Sequence, residues 1–161
     1  QEGTYPLPEA QLDRFMFNIP LDYPSYDEEL QVVRTTTSEQ VAELQHIVTA
    51  EQIIAFQSLI KRIPIADNVL EYAVSLVSKT RPGTERAADS VNNYISWGAG
   101  PRASQYLVLG AKCHAAIQGK YSPDIEDVKA IANYVLRHRV VRNYKAEAEG
   151  ISEEQIIAQL M

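Results

Sequence analysis

A single strand-like run stands out because the chain offers it no partner strand. Residues 15–21 (Phe-Met-Phe-Asn-Ile-Pro-Leu) are almost entirely apolar and include a late proline, a pattern typical of a short buried β-strand. A buried strand leaves its backbone N–H and C=O groups unpaired unless neighbouring strands complete a sheet. Almost nothing downstream has strand character. We therefore expect the rest of this sheet to lie in sequence that precedes Gln1.

The residues before this run support the same expectation. The chain opens with Gln1 rather than methionine, which suggests that a preceding segment is missing. Two prolines and a glycine exclude a regular helix over residues 3–8, whereas Glu9–Leu12 can form one helical turn. Residues 1–23 are thus predicted to be a short remnant, one turn and one strand, of an α/β domain.

From Pro24 to the C-terminus the pattern is helical. Capping boxes, in which a serine or threonine is followed three residues later by Glu or Gln, predict helices starting after Ser25, Thr49 and Ser152. Pro101 suits the first turn of another helix, which Gly119 ends, and Ser122-Pro123 starts the next. One further helix carries a periodic apolar face: Val69, Leu70, Ala73, Leu76 and Val77.

These helices predict a mainly α fold. Residues 24–161 form a compact helical bundle, and small residues such as Gly110 and Ala111 let a neighbouring helix approach closely. The polar stretch 84–100 is predicted to be a loop with a short turn. The bundle is therefore one domain that follows the remnant at residues 1–23.

Composition excludes several classes of protein. The 161 residues carry a formal net charge of −6, which argues against a globally basic nucleic-acid coat. The single cysteine, Cys113, excludes an internal disulfide and a zinc site built on several thiolates. No apolar run approaches the ~18 residues of a membrane span, and without a charged n-region before an apolar segment we expect no secretory signal. We expect a reducing, cytoplasmic environment.

Familiar catalytic motifs are missing from this sequence. A P-loop needs Gly-Lys followed by serine or threonine, but the chain's Gly-Lys pair at Gly119 is followed by Tyr121. Its three histidines, His46, His114 and His138, are too far apart for a short metal motif. Cys113, beside alanines, fits a small buried hydrophobe better than a nucleophile. The chain alone is therefore not expected to be an enzyme.

Two arginines are candidate anion-binding residues. Arg14 lies where the helical turn meets the strand, so its guanidinium could donate bidentate hydrogen bonds to a phosphate on a neighbouring molecule. The alternative is an ion pair with Asp13 or Glu9. Arg102 follows Gly100-Pro101 at the start of a helix, where exposed N–H groups and the helix dipole favour an anion. The alternative there is a loop that merely needs glycine.

A third basic feature lies near the C-terminus. Residues 137–145 contain Arg137, Arg139, Arg142 and Lys145 with no acidic residue. Cations at a helix end commonly cap carbonyls and offset the dipole. The alternative functions are a nucleic-acid-binding helical module that uses this cluster, or a non-enzymatic adaptor that presents the bundle to a partner.

Several motifs resemble one protein family. Residues 2–15, which contain Leu-Pro-Glu-Ala-Gln-Leu-Asp-Arg-Phe, resemble the stretch after the sensor 1 asparagine of MoxR-type AAA+ ATPases. Gly100-Pro101-Arg102 resembles the family's sensor 2, which opens a lid helix. Residues 80–82 and 136–139 also resemble lid-domain sequences. The resemblance extends over nearly the whole chain and implies the end of a nucleotide-binding core followed by a helical lid.

The resemblance also implies roles. Arg14 would be the arginine finger that reaches, in trans, the γ-phosphate of ATP on the adjacent subunit. Arg102 would be the sensor 2 arginine, with Gly100 and Pro101 completing the nucleotide-binding motif; whether it acts within its own subunit or across the interface stays open. ATP and Mg²⁺ would bind the full-length protein, because both Walker motifs are expected before Gln1. Such proteins form homo-oligomeric, typically hexameric rings, remodel partner proteins in a chaperone-like way, and often work with a von Willebrand factor A domain protein.

Overall fold

The computed structural model describes residues 7–39 and 45–161, and its fold is mainly helical, as predicted. The prediction for residues 3–6 lies outside the described residues. In chain order the elements are α1 Glu9–Leu12, α2 Tyr26–Thr36, α3 Ala50–Arg62, α4 Asp67–Lys79, α5 Asp89–Tyr94, β1 Ile95–Trp97, α6 Pro101–Ile117, α7 Ile125–Leu136, β2 Val141–Arg142, α8 Tyr144–Ala148 and α9 Glu153–Leu160.

Helix starts follow local capping chemistry. The three predicted capping boxes are all present, at Ser25, Thr49 and Ser152, and each side-chain oxygen accepts from the backbone N–H three residues on. Pro101 occupies the first turn of α6, where its missing N–H has no cost. The predicted start of α7 at Ser122 is wrong by two residues. A reciprocal capping box between Asp124 and Asp127 begins that helix instead.

The core is built around α6 and α7, which pack closely against each other. A Cβ placed on Gly110 would lie 3.0 Å from Cδ1 of Ile131, so the predicted close approach of a neighbouring helix at this glycine is confirmed. Helix α4 packs on α6, and α9 packs on α7. The largest fully buried side chains all lie between residues 76 and 157: Leu76, Leu107, Leu136, Ile156, Ile157, Val77, Val91, Val128, Val135, Thr80 and Asp127.

Residues 84–100 are more ordered than the predicted loop. They contain α5 and β1, and β1 pairs antiparallel with β2, placing Ile95 opposite Arg142 and Trp97 opposite Val141. Helix α5 has only six residues, too short to show an apolar period, and its Val91 is nevertheless buried. The strand pairing joins residues that are far apart in sequence, so local patterns do not indicate it.

The strand predicted at residues 15–21 is not formed among the described residues. This segment follows an irregular path along the bundle, and its Asn18 N–H donates to the Tyr134 carbonyl at 2.8 Å. A single hydrogen bond does not make a ladder. The ring of Phe17 lies beside Gly110, so the helices α6 and α7, rather than a sheet, provide the contacts of this apolar run.

Helices α2 and α3 are amphipathic but contain no buried residue. Ile53 and Phe56 share a face as predicted, yet they are 50% and 55% exposed. The contact of α3 with the bundle includes a hydrogen bond of 3.3 Å from Lys112 Nζ to the Lys61 carbonyl. Across residues 7–39 and 45–161, no helix combines the length and the apolar character needed to cross a bilayer.

Candidate functional site

Asp13 joins the N-terminal segment to the helical bundle. It follows α1, and its carboxylate accepts from two arginines that lie far away in sequence. Nε of Arg139 donates to Oδ1 at 3.0 Å, and Nη1 of Arg102 donates to Oδ2. We call these three residues the Asp13 cluster. Because each arginine uses a different oxygen, one carboxylate holds α6 and the end of α7 together.

Arg139 is the buried member of the cluster. Its side chain is 1% exposed, and its guanidinium carbon lies 5.1 Å from the centre of the Tyr106 ring, in cation–π geometry. Its terminal nitrogens donate to the main-chain carbonyls of Asp13 (2.7 Å), Phe15, Met16 (3.3 Å) and Val135. Burial lowers the pKa of Arg139, and the bond to Asp13 opposes that shift. The guanidinium stays charged, since arginine does not lose its proton in proteins.

His138 adds a further contact to the same segment. Its Nε2 lies 3.0 Å from the Phe15 carbonyl, which can only accept, so this nitrogen carries the proton. Burial lowers the pKa of His138, and the carbonyl of Phe15 partly offsets this. The lowered pKa favours the neutral form of the ring, which contacts the segment through this one hydrogen bond.

Arg14 differs from its neighbour Asp13 in exposure and in contacts. Its side chain is exposed, and within the described part of the chain no ion pair or hydrogen bond engages its guanidinium. The alternative ion pair of Arg14 with Asp13 or Glu9 does not form among the described residues, where Asp13 pairs instead with Arg102 and Arg139. The main chain at Arg14 is fixed nonetheless: Tyr106 Oη donates to its carbonyl at 3.0 Å. Arg14 is an outward-facing cation on an anchored backbone.

Arg102 has an anionic partner, as its unfavourable place in the first turn of α6 suggested; the partner in this chain is Asp13. The preceding glycines differ in their roles. A Cβ on Gly98 would lie 2.3 Å from the Thr80 carbonyl oxygen, so this position needs glycine to pack. A Cβ on Gly100, the N-cap of α6, would meet nothing within 4 Å. Packing within the described residues therefore does not explain Gly100.

A cleft of about 230 Å³ opens beside the Asp13 cluster. It lies between the N-terminal segment, the β1–β2 ribbon and the start of α6. Trp97, which is 70% exposed, stands at its edge. The lining residues are Glu9, Asp13, Trp97, Gly98, Gly100, His138, Arg139 and Val141.

The basic residues 137–145 are in contact with other parts of the chain. Arg137 pairs with Glu154 at 2.7 Å, Arg142 pairs with Glu153 at 2.7 Å, and Lys145 lies over the Tyr94 ring. Arg137 thus ties α9 to the end of α7, Arg142 ties α9 to the ribbon, and Lys145 ties α8 to α5. Arg139, in the same cluster, donates to the Val135 carbonyl in the last turn of α7, as expected of a cation at a helix end. Nucleic-acid binding by this cluster stays a prediction, which salt-dependent binding to duplex DNA would test.

The remaining titratable candidates have structural surroundings. His114 Nδ1 lies 2.6 Å from Oδ1 of the buried Asp127, which also pairs with Lys120 at 3.1 Å. Burial raises the pKa of the Cys113 thiol, which disfavours the nucleophilic thiolate. Among residues 7–39 and 45–161, no three or more His, Cys, Asp or Glu side chains are arranged to hold a metal ion.

The sequence analysis named Arg139 only as part of a basic cluster and missed that its side chain is buried, although a signal was present. The apolar stripe of α7 runs through Val128, Ile131 and Val135, and the same spacing reaches residue 139, where arginine stands instead of a hydrophobe. A charged residue at the next core position requires a buried partner. That partner, Asp13, is 126 residues away and could not be identified from spacing alone.

Known proteins match this chain over nearly all of its length. A model of the AAA lid domain matches residues 87–160. Chaperone MoxR1 from Mycobacterium tuberculosis is 32% identical over 99% of the chain and 42% of its own length. YeaC from Bacillus subtilis, a protein described as uncharacterised, is 34% identical over 99% of the chain and 48% of its own length.

A solved structure agrees with these matches. The crystal structure of a protein from Cytophaga hutchinsonii, described as a candidate ATPase, superimposes with a TM-score of 0.90 at 38% identity, covering 99% of this chain and 49% of that one. The chain thus spans about half the length of the relatives it matches. Over nearly its whole length the chain matches the C-terminal part of MoxR-type AAA+ ATPases, and its residues 87–160 match the AAA lid domain.

Proposed function

We propose that this chain serves, within the full-length protein, as the lid portion of a ring-forming ATPase. The full-length protein would bind and hydrolyse ATP with Mg²⁺ as a homo-oligomer, most simply a hexamer, and use the energy to remodel partner proteins, one of them carrying a von Willebrand factor A domain. The family match and the chaperone named among the relatives support this proposal.

The observation that carries the proposal is the contrast between the contacts of Asp13 and the exposure of Arg14. Asp13 is bound to two arginines of the bundle, whereas Arg14 is exposed on a main chain that Tyr106 anchors. A cation presented in this way suits an arginine finger acting in trans on the γ-phosphate. There it would stabilise the charge that spreads over the phosphoryl oxygens in the transition state.

Arg102 suits a sensor of nucleotide state because its present partner can be exchanged. The side chains of Arg102 and Asp13 are 42% and 32% exposed, so their ion pair contributes about 1 kcal/mol or less. A phosphate near the open space at Gly100 and the start of α6 could replace the carboxylate at small cost. Pro101 would keep the first turn of α6 preformed for that contact.

We place the boundary between core and lid after Tyr23. Pro20 and Pro24 stiffen the connector, which would let the lid move as a unit when nucleotide binds. Residues 13–16 are bonded to Arg139, so they would move with α6 and α7 for as long as those contacts persist. Movement of the lid would then carry the proposed finger with it.

The test replaces Arg14 in the full-length protein under conditions that permit assembly. Arg14→Ala should leave ATP binding intact and lower kcat by roughly 10³-fold or more, the usual contribution of an arginine finger. Arg34→Ala is the matched control, because Arg34 is an exposed arginine on α2 away from the Asp13 cluster. An unchanged ATPase rate in Arg14→Ala would refute the assignment.

A further inference from the structure

We infer that Arg139 is a positioning residue for the proposed arginine finger: it clamps the main chain on both sides of Arg14. The inference rests on the proposed role of Arg14 and adds to it a residue on the lid, 125 positions along the chain. Arg139 itself faces the bundle interior, so it would act on the phosphate only through the segment it holds.

The first argument is the cost of burying a guanidinium. A charge in the core is tolerated only when its hydrogen-bonding groups are satisfied. Arg139 makes five such bonds, and four of them go to residues 13–16, that is, to the segment that contains Arg14. The fifth, to the Val135 carbonyl, is local to α7. The burial of Arg139 is therefore compensated mainly by bonds to the finger segment.

The second argument is where these bonds fall. Arg139 binds the carbonyls of Asp13, Phe15 and Met16, and Tyr106 binds the carbonyl of Arg14 itself. The ring of Tyr106 also lies over the Arg139 guanidinium. Four consecutive carbonyls thus accept hydrogen bonds from the bundle, while the Arg14 side chain is exposed. Such preorganisation is what a group acting on a transition state requires.

The third argument is that Arg139 and Arg102 use different oxygens of Asp13. If Arg102 leaves Asp13 to contact nucleotide, Arg139 retains both its bond to Oδ1 and its carbonyl contacts. The finger segment would then stay in place while Arg102 changes partner. Arg139 would thus hold the finger segment in place, and Arg102 would independently respond to nucleotide.

The kinetic test uses the full-length protein with Arg139→Met, which keeps an unbranched chain of similar length but removes every donor. We expect kcat to fall about 10- to 100-fold, the effect of a small misplacement of a reacting group, with KM for ATP within roughly twofold. Arg142→Met is the matched control: it removes an arginine that pairs with Glu153 and does not contact residues 13–16. It should leave kcat unchanged.

A double variant separates positioning from general damage. If Arg139 acts only through Arg14, then Arg139→Met combined with Arg14→Ala should be no slower than Arg14→Ala alone. An additional loss equal to that of the single Arg139→Met would overturn the inference. An Arg14→Ala variant with normal turnover would instead overturn the proposed function, so the two failures are distinct.

Hydrogen exchange checks the clamp without measuring activity. In Arg139→Met, amides of residues 14–18 should exchange faster, while those of α6 remain protected. If Arg139→Met also deprotects α6, the same measurement is made on Arg139→Lys. Lysine keeps the buried charge but cannot reproduce the forked contacts of the guanidinium, so this variant tests the clamp alone. Faster exchange at residues 14–18 in Arg139→Lys with unchanged kcat would show that the clamp does not position the finger.

Discussion

The region before residue 63 and the region after it contain similar helices but pack very differently. Helices α2 and α3 begin with complete capping boxes and have apolar faces, as do α7 and α9. Yet, among residues 7–39 and 45–161, every buried residue of the hydrophobic core lies between Val69 and Leu160. Capping and amphipathicity therefore establish that a helix forms, and they say nothing of whether its apolar face is covered within the same chain.

The difference also tells where stability resides. Isolated helices shorter than about 12–15 residues are marginal in water, and α2 and α3 have 11 and 13 residues. The later region adds to its helices a shared hydrophobic core. We expect the cooperative unfolding of this chain to report on residues 67–160 and hardly at all on α2 and α3.

The largest contrast should come from removing one large side chain in each region. Leu107 is fully buried, so Leu107→Ala should lower the free energy of unfolding by about 2–5 kcal/mol. Phe56 is 55% exposed, so Phe56→Ala should change it by roughly 0.5 kcal/mol or less. Urea unfolding of the 161-residue chain measures both. Equal losses would mean that α3 shares the core, and the contrast would fail.

A smaller effect is expected at the two glycines before α6. Gly98→Ala would force a Cβ against the Thr80 carbonyl, and we expect a loss of about 1–3 kcal/mol in thermal unfolding. Gly100→Ala enters open space at a negative φ, so its effect should stay within about 0.5 kcal/mol. A costly Gly100→Ala would show that packing alone explains both glycines and would weaken the nucleotide-binding proposal.

Loss of a helix cap should change the unfolding transition in the later region but not in the earlier one. Ser152→Ala removes the cap of α9, which buries Ile156, Ile157 and Leu160, so the whole unfolding transition should lose about 1 kcal/mol. Ser25→Ala removes an equivalent cap from α2, whose residues are not buried. Far-ultraviolet circular dichroism should then show some lost helicity with an unchanged midpoint. A shifted midpoint in Ser25→Ala would place α2 in the cooperative unit.

The smallest effect should be a change in acid sensitivity. Burial raises the pKa of Asp127, but bonds from the Asp124 amide, His114 and Lys120 lower it more, so the folded value lies below the usual one. Because the pKa of Asp127 is lower in the folded chain than in the unfolded chain, where it is about 3.9, the ionised carboxylate stabilises the fold at pH values above about 3.9. This stabilisation is lost as the pH falls through the pKa of the folded chain. The difference in unfolding free energy between the wild-type chain and Asp127→Asn should therefore shrink on acidification.

Glu28 is the matched group in the other region. Its bonds to Ser25 lower its pKa as well, but it caps the exposed helix α2. Glu28→Gln should leave the acid limb of the cooperative transition as it is in the wild-type chain. An altered acid limb in Glu28→Gln, or an unaltered one in Asp127→Asn, would contradict the division into two regions.

Sequence patterns were sufficient where the determining contacts are local. The capping boxes, the start of α6 at Pro101 and the close packing at Gly110 were all predicted from neighbouring residues. The β1–β2 ribbon was not, because Ile95 and Arg142 meet only in the folded chain. The apolar run 15–21 was predicted to be a buried strand, and both parts of that prediction are wrong: no strand forms, and Phe15, Ile19 and Leu21 are 56%, 63% and 91% exposed.

The candidate site divides in the same way. Arg14 and Arg102 could be proposed from their place at the ends of local elements. The Asp13 cluster could not, because its bonds join residues 89 and 126 positions apart. A carboxylate next to an arginine suggests a local ion pair, and only the tertiary fold pairs Asp13 with Arg102 and Arg139 and leaves Arg14 exposed.

The position of Trp97 has a practical consequence. It is the chain's single tryptophan, it is 70% exposed, and it stands at the edge of the cleft beside the Asp13 cluster. Indole emission depends on the polarity of its surroundings, so the chain carries a built-in fluorophore next to the residues proposed to change partner. Titrating nucleotide into the assembled protein while recording this emission, with Trp97→Phe as the blank, would follow the rearrangement in real time without any attached dye.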